Sequence, residues 1–133
     1  MISEHKTKIV GIHVKLPSDC RSDPASLDSI NAFEKEYGTI PEQYRWYLHE
    51  CGGGVVGSEW VDDIENLKKS HRKFRDEEGD MIYSFIFGWD GGGNPLLIDR
   101  ESGRVFTRDH DFGGTHAIAE SFMSFYLNQN EKH

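Results

Sequence analysis

A chain of 133 residues has the length of a single domain, and 36% hydrophobic residues with three Trp, five Tyr and eight Phe can furnish one packed core. No run approaches the ~20 apolar residues of a membrane helix, and the opening MISEHKTKIV lacks the apolar stretch of a signal peptide, so a soluble cytoplasmic protein with no membrane partner is expected. A net charge of −8, spread along the chain, opposes binding to nucleic-acid phosphates and favours a basic partner.

In chain order, KIVGIHVKL (8–16) is rich in β-branched residues and loosely alternating, which predicts a strand; PSDCRSDPAS after it is loop chemistry. From Leu27 the period changes. Leu27, Ile30, Phe33 and Tyr37 fall on one helical face, and Gly38 follows as a stop. A second helix begins near Pro41, which suits a first turn because its missing N–H has no partner there. Tyr44, Tyr47, Leu48 and Cys51 form its core face, and Gly52 and Gly53 open the reversal that ends it.

VVGSEW reads as one short strand, and DDIENLKKSHRKFRD as a helix with Ile64, Leu67, His71 and Phe74 on its apolar side. MIYSFIFGW, PLLIDR and RVFTRD then give three strands of an antiparallel meander. HAIAESFMSFYL reads as a closing helix, with Ile118, Phe122, Phe125 and Tyr126 or Leu127 covering the sheet.

The glycines of GWDGGGNPLLID invite comparison with a phosphate cradle. Such a cradle needs a helix opening behind it and usually a Lys; here a proline and a strand follow. Gly91, Gly92, Gly93 and Asn94 are therefore a strand-to-strand turn, and Gly103 makes a second one. Asp109, His110, Asp111 and His116 resemble a metal cluster in composition, but their spacing matches no standard ligand motif, and no metal or cofactor is expected. The two cysteines, Cys20 and Cys51, fit neither a zinc ribbon nor a disulfide framework, and His49 and Cys51, two apart on a helix, point in different directions. The aromatic residues Trp46, Tyr47, Trp60, Phe87 and Trp89 lack interleaved basic residues, which disfavours stacking on nucleic acid. Trp46, off its helix's apolar face, and Trp60, after a glycine loop and before two aspartates, are candidate partner anchors.

The ordered set INAFEKEYGTIPEQYRWYLHECGGG, FIFGWDGGGNPLLIDRESGRVFTRDHD and IAESFMSFYL resembles the SUKH superfamily, in particular the branch that includes a fungal cell-wall-synthesis regulator and many bacterial immunity proteins. The matching positions are Ile40 and Pro41, Gly52 and Gly53, Gly88 and Asp90, Gly93 and Asn94, Asp99, Gly103, Val105, Asp109 and His110, and Ala119, Ser121, Phe122 and Leu127. Cys51 stands where the family more usually has asparagine. The likeness covers residues 27–127 of a single domain spanning 1–133. It implies an α+β fold, a single curved, mainly antiparallel sheet flanked by helices, that acts by binding a protein and not by catalysis.

On that resemblance the first expectation is an immunity protein that neutralises a cognate polymorphic toxin, a basic nuclease for example. Its contacts would be Trp46, Trp60, Asp62, Asp63 and Glu65, with Asp76, Glu77, Glu78 and Asp80 beyond the middle helix. A regulatory interaction module without a toxin is the alternative, disfavoured by the short length, and a small metal-dependent hydrolase using the 109–116 loop is the third. The oligomeric state is open.

Overall fold

The computed structural model describes residues 2–78, 83–109 and 113–131. Asp80, His110 and Asp111 lie outside the described residues, as do the side chains of Asp76, Glu77 and Glu78.

The chain opens with helix α1 (Ile2–Val14) where the β-branched run predicted a strand. Ile9 and His13, one helical turn apart, are buried, with Val10 and Ile12 against the same core. The intrinsic preference of Val and Ile for strands amounts to tenths of a kcal/mol per residue, whereas burying one such side chain contributes about 1.5–3 kcal/mol. Packing of α1 against the last helix, α5 (Phe122–Glu131), decides the outcome.

Helix α2 (Leu27–Tyr37) begins at Ser26, whose hydroxyl accepts from Ser29 N–H, and ends at Gly38, whose φ of 100° and N–H bond to Glu34 O close the last turn. Leu27, placed on its core face by sequence, is exposed, while Ile30 and Phe33 are buried. Helix α3 (Glu42–Glu50) buries Tyr44, Tyr47 and Leu48, with Pro41 immediately before it and Cys51 buried just beyond.

VVGSEW forms a hairpin and not one strand: β1 (Gly54–Val56) returns as β2 (Glu59–Val61) through Gly57 and Ser58, with Gly57 at φ 64°. Helix α4 (Ile64–Glu78) follows, then β3 (Ser84–Trp89), β4 (Pro95–Asp99), β5 (Val105–Arg108) and β6 (Thr115–Ala119). The six strands make one open, curved antiparallel sheet in sequence order.

The stretch HAIA, expected to start the closing helix, instead belongs to β6, paired with β5. Ile118 accordingly is exposed on a strand and covers nothing. The helix starts at Phe122 because Ser121 and Ser124 cap it reciprocally: Ser124 N–H donates to Ser121 Oγ and Ser121 N–H to Ser124 Oγ.

The sheet's inner face carries Phe85, Phe87, Leu96, Ile98 and Val105, packed with residues of α1, α2, α3 and α5 in the main core. Tyr44, Tyr47, Phe87, Phe122, Phe125 and Tyr126 interlock there, neighbouring ring centroids lying 5.3–6.4 Å apart. Ile86 and Leu97, pointing the other way, form a smaller outer cluster with Phe74, flanked by Trp89 and Phe106. Helix α4 straddles the sheet edge, sending Ile64 and Leu67 to the main core and Phe74 to the outer cluster.

Strand β2 pairs with β3 only at Trp89 and Gly88. Past that point α4 takes the place of a strand: His71 Nε2–H donates to Ile86 O at 2.9 Å, its ring packed on Phe33 and Phe85. A carbonyl can only accept, so this bond places a proton on Nε2.

Candidate functional site

Two features of the sequence converge outside the edge of the main core. Trp60 on β2 and Trp89 on β3 are register partners, so both indoles stand on the outer face of the sheet. Gly88, beside Trp89, makes the approach possible: a Cβ there would collide with the Trp60 carbonyl oxygen. Opposite the two indoles runs the exposed flank of α4, with Asn66, Lys69 and Lys73. Between them lies an open groove of about 530 Å³, bounded at one end by Gly93 of the β3–β4 turn.

The groove has a polar floor whose members satisfy one another. Trp89 Nε1–H donates to Ser70 Oγ at 2.9 Å, and Ser70 Oγ–H donates to Asp62 Oδ2 at 2.5 Å. Asp62 is only 1% exposed and is anchored through its backbone as well: its N–H bonds Phe87 O, and its carbonyl accepts from the Tyr44 hydroxyl at 2.7 Å. Burial pushes its carboxyl up to about 7, against the lowering effect of the Ser70 hydroxyl, and the neighbouring Asp63 charge pushes the same way as burial. Lys73 Nζ sits 4.8 Å from the centre of the Trp89 ring, a cation–π contact that holds the ammonium at the groove wall.

The residues singled out by sequence separate here. Trp60 lines the groove, half-buried. Asp62, which its polarity predicts to be exposed, is instead buried beneath it, since its side chain is the acceptor for Ser70, which in turn accepts from Trp89. Asp63 caps α4, accepting from Asn66 N–H and from Ser22 Oγ, both at 2.8 Å. Glu65 is exposed and pairs with Lys68 at 3.4 Å. Trp46 lies on α3 against the core rim with Lys6 over its ring, and is not part of the groove.

Sequence alone does not point to Ser70, Lys69 or Lys73, and along the chain Trp89 has no interleaved basic neighbours. The available signal was the i, i+4 spacing of Lys69 and Lys73 beside the apolar stripe, but only the fold brings that flank to Trp89.

The glycine turn is resolved by its first residue. Asp90 Oδ1 accepts from Gly92 N–H and Asn94 N–H at 2.9 and 2.8 Å, and Asp90 Oδ2 from Asn94 Nδ2 at 3.2 Å. The donors that a phosphate would use hold the chain's own carboxylate. Asp99 does the same in the next turn for Glu101 and Ser102 N–H, and the Ser102 backbone bond leads in holding its carboxyl below the usual range. Gly52 and Gly53 end α3 with positive φ, and each lies where a Cβ would strike neighbouring backbone, at Asp23 and Asp63 respectively. Cys51 is a buried thiol pushed up to about 12 by burial, and His49 Nδ1 bonds Ala25 O. His116 is exposed on β6, and no group of three metal-ligating side chains occurs among the described residues.

A second hollow, about 280 Å³, lies between the start of α3, the Asp99–Gly103 turn and the start of α5. Arg100, the one cation lining it among the described residues, is already engaged, packed 5.0 Å from the Phe85 ring and bonded to Thr39 O. No described helix is long and apolar enough to cross a membrane. The model of the SMI1/KNR4 family (SUKH-1) matches residues 24–128. No curated protein matches the chain.

Proposed function

Because the chain belongs to the SMI1/KNR4 family (SUKH-1), which includes toxin-immunity proteins, we propose that it is an immunity protein that neutralises a cognate toxin by direct binding, without chemistry of its own. The observation that carries this reading is the groove. Paired, half-buried indoles over a floor whose hydrogen bonds are mutually satisfied form a pre-organised surface of the kind that anchors protein interfaces. Asp62 is placed to hold Ser70 and Trp89 in position, being too deeply buried to meet a substrate. The net charge of −8 supports a basic partner such as a nuclease, drawn in by long-range attraction before the groove is reached.

The test is coexpression with the product of the adjacent upstream gene. A complex that copurifies and restores growth upholds the immunity reading. Copurification without any toxicity to relieve moves the weight to a regulatory interaction module; neither binding nor rescue removes that gene product as the partner. Reversing the charges of Asp76, Glu77, Glu78 and Asp80 should slow association with a basic toxin, most at low salt, if that acidic run steers the encounter.

A further inference from the structure

We propose that the groove between α4 and the Trp60–Trp89 pair takes an acidic segment of the partner protein, a carboxylate seated between Lys69 and Lys73 with a flanking apolar side chain laid over the two indoles. The inference rests on the reading of this domain as a protein-binding module and names the chemistry of what its groove accepts.

Charge and geometry argue for it together. Of the lysines at 68, 69 and 73 on α4, Lys68 is paired with Glu65, whereas Lys69 and Lys73 have no acidic partner among the described residues. One helical turn apart, their ammonium groups can converge on one carboxylate. Lys73 is held over the Trp89 ring, so part of the ordering cost of such a contact is already met in the free protein. The indoles supply broad apolar area next to the cations, which suits an acidic residue beside an aromatic or aliphatic one.

The floor does not oppose an incoming anion. Asp62, the carboxylate directly beneath, is buried, accepts from Ser70, and with its carboxyl raised to about 7 carries only part of a charge near neutral pH. Asp63 is turned to Ser22 and the α4 terminus.

A nucleic acid would also meet indoles and lysines here, but two cations in a chain of net charge −8 are a poor match for a polyphosphate, which repels the whole molecule over a Debye length of ~8–10 Å. A single carboxylate interacts mainly with the two lysines it touches. The long-range charge and the groove then have different tasks: the first draws in a basic protein, and the second selects an acidic element on its surface and fixes orientation.

The indole N–H signals of the protein alone provide the measurement. Trp60 and Trp89 report on the groove, and Trp46, outside it, is an internal control. The probes are an acetylated Glu-Phe-Glu-Leu-Glu peptide, its Lys-Phe-Lys-Leu-Lys counterpart and a short oligo-dT. The expected result is that the acidic peptide shifts the Trp60 and Trp89 signals and leaves Trp46 in place, that the basic peptide and oligo-dT do neither, and that Lys69→Glu with Lys73→Glu weakens the response by about tenfold or more. Both lysines are exposed, so the double variant should keep the parent's amide spectrum. No shift with the acidic peptide, equal shifts with both peptides, a response only to oligo-dT, or a response indifferent to the double substitution each overturns the proposal. Because no toxin is present, the two readings fail separately. Peptide binding with failed growth rescue upholds the groove chemistry and tells against immunity, whereas rescue without peptide binding upholds immunity and overturns the groove chemistry.

Discussion

Trp60 and Trp89 stand directly opposite each other across two antiparallel strands, in a ladder that joins those strands at only two residue pairs. So short a ladder is held mainly from outside itself: Asp62 N–H bonds Phe87 O, the Tyr44 hydroxyl bonds Asp62 O, and Ser70 ties Trp89 to the Asp62 side chain. The shape of the groove and the local stability of this part of the sheet therefore depend on the same few groups.

The Asp62 carboxyl gives this dependence a pH signature. Burial favours its neutral form, so between about 4 and 7 the folded chain holds a proton that the unfolded chain has released. Stability is highest below that window, falls as pH rises through it, and levels off above about 7. The contribution lost across the whole window is on the order of 4 kcal/mol, at about 1.4 kcal/mol for each tenfold change in proton affinity. Asp62→Asn keeps an acceptor for Ser70 and cannot ionise. Urea unfolding at pH 5 and pH 8 should show a larger loss for the parent than for the variant; equal losses would assign the pH dependence elsewhere.

Gly88→Ala should cost about 2–4 kcal/mol, because the added methyl meets the Trp60 carbonyl and must part β2 from β3. Gly103→Ala, at φ 79° with open space around it, should cost only the conformational penalty of about 1 kcal/mol. Denaturant midpoints would compare the two, and only the first substitution should alter the Trp60 and Trp89 indole signals.

Asp90→Ala removes the acceptor for two backbone amides and one side-chain amide in the β3–β4 turn. A loss of about 1–2 kcal/mol is expected, with faster hydrogen exchange at Gly92 and Asn94. Unchanged exchange there would mean that the glycines hold the turn without the carboxylate.

Cys51, pushed up to about 12 by burial, should resist thiol reagents in the folded protein. A chromogenic disulfide reagent should leave Cys51 unmodified under native conditions and label it once the protein is unfolded in denaturant, as read by peptide mapping. Labelling of Cys51 at the same rate in both states would show that the α3 end opens freely.

What the sequence determined by itself was the class of fold and most of its middle: α2, α3, α4 and the three-strand meander follow from apolar periods, caps and turn residues acting within a few positions of one another. Residues legible as motif, such as Asp90, Asp99 and Gly103, proved to be turn chemistry, which is local and therefore readable. Tertiary contacts decided the two ends. Residues 8–14 became helix because α5 offered Ile9 a place to pack, and Thr115–Ala119 became a strand because β5 had an edge to pair, each overriding a weak local preference. The groove was likewise invisible in one dimension. Asp62 is polar and its burial depends on Ser70, eight residues on, while Trp89 acquires its cation from Lys73 only because α4 folds back along the open edge of β3. Burial and charge proximity are properties of distance in space, and no spacing along this chain encodes them.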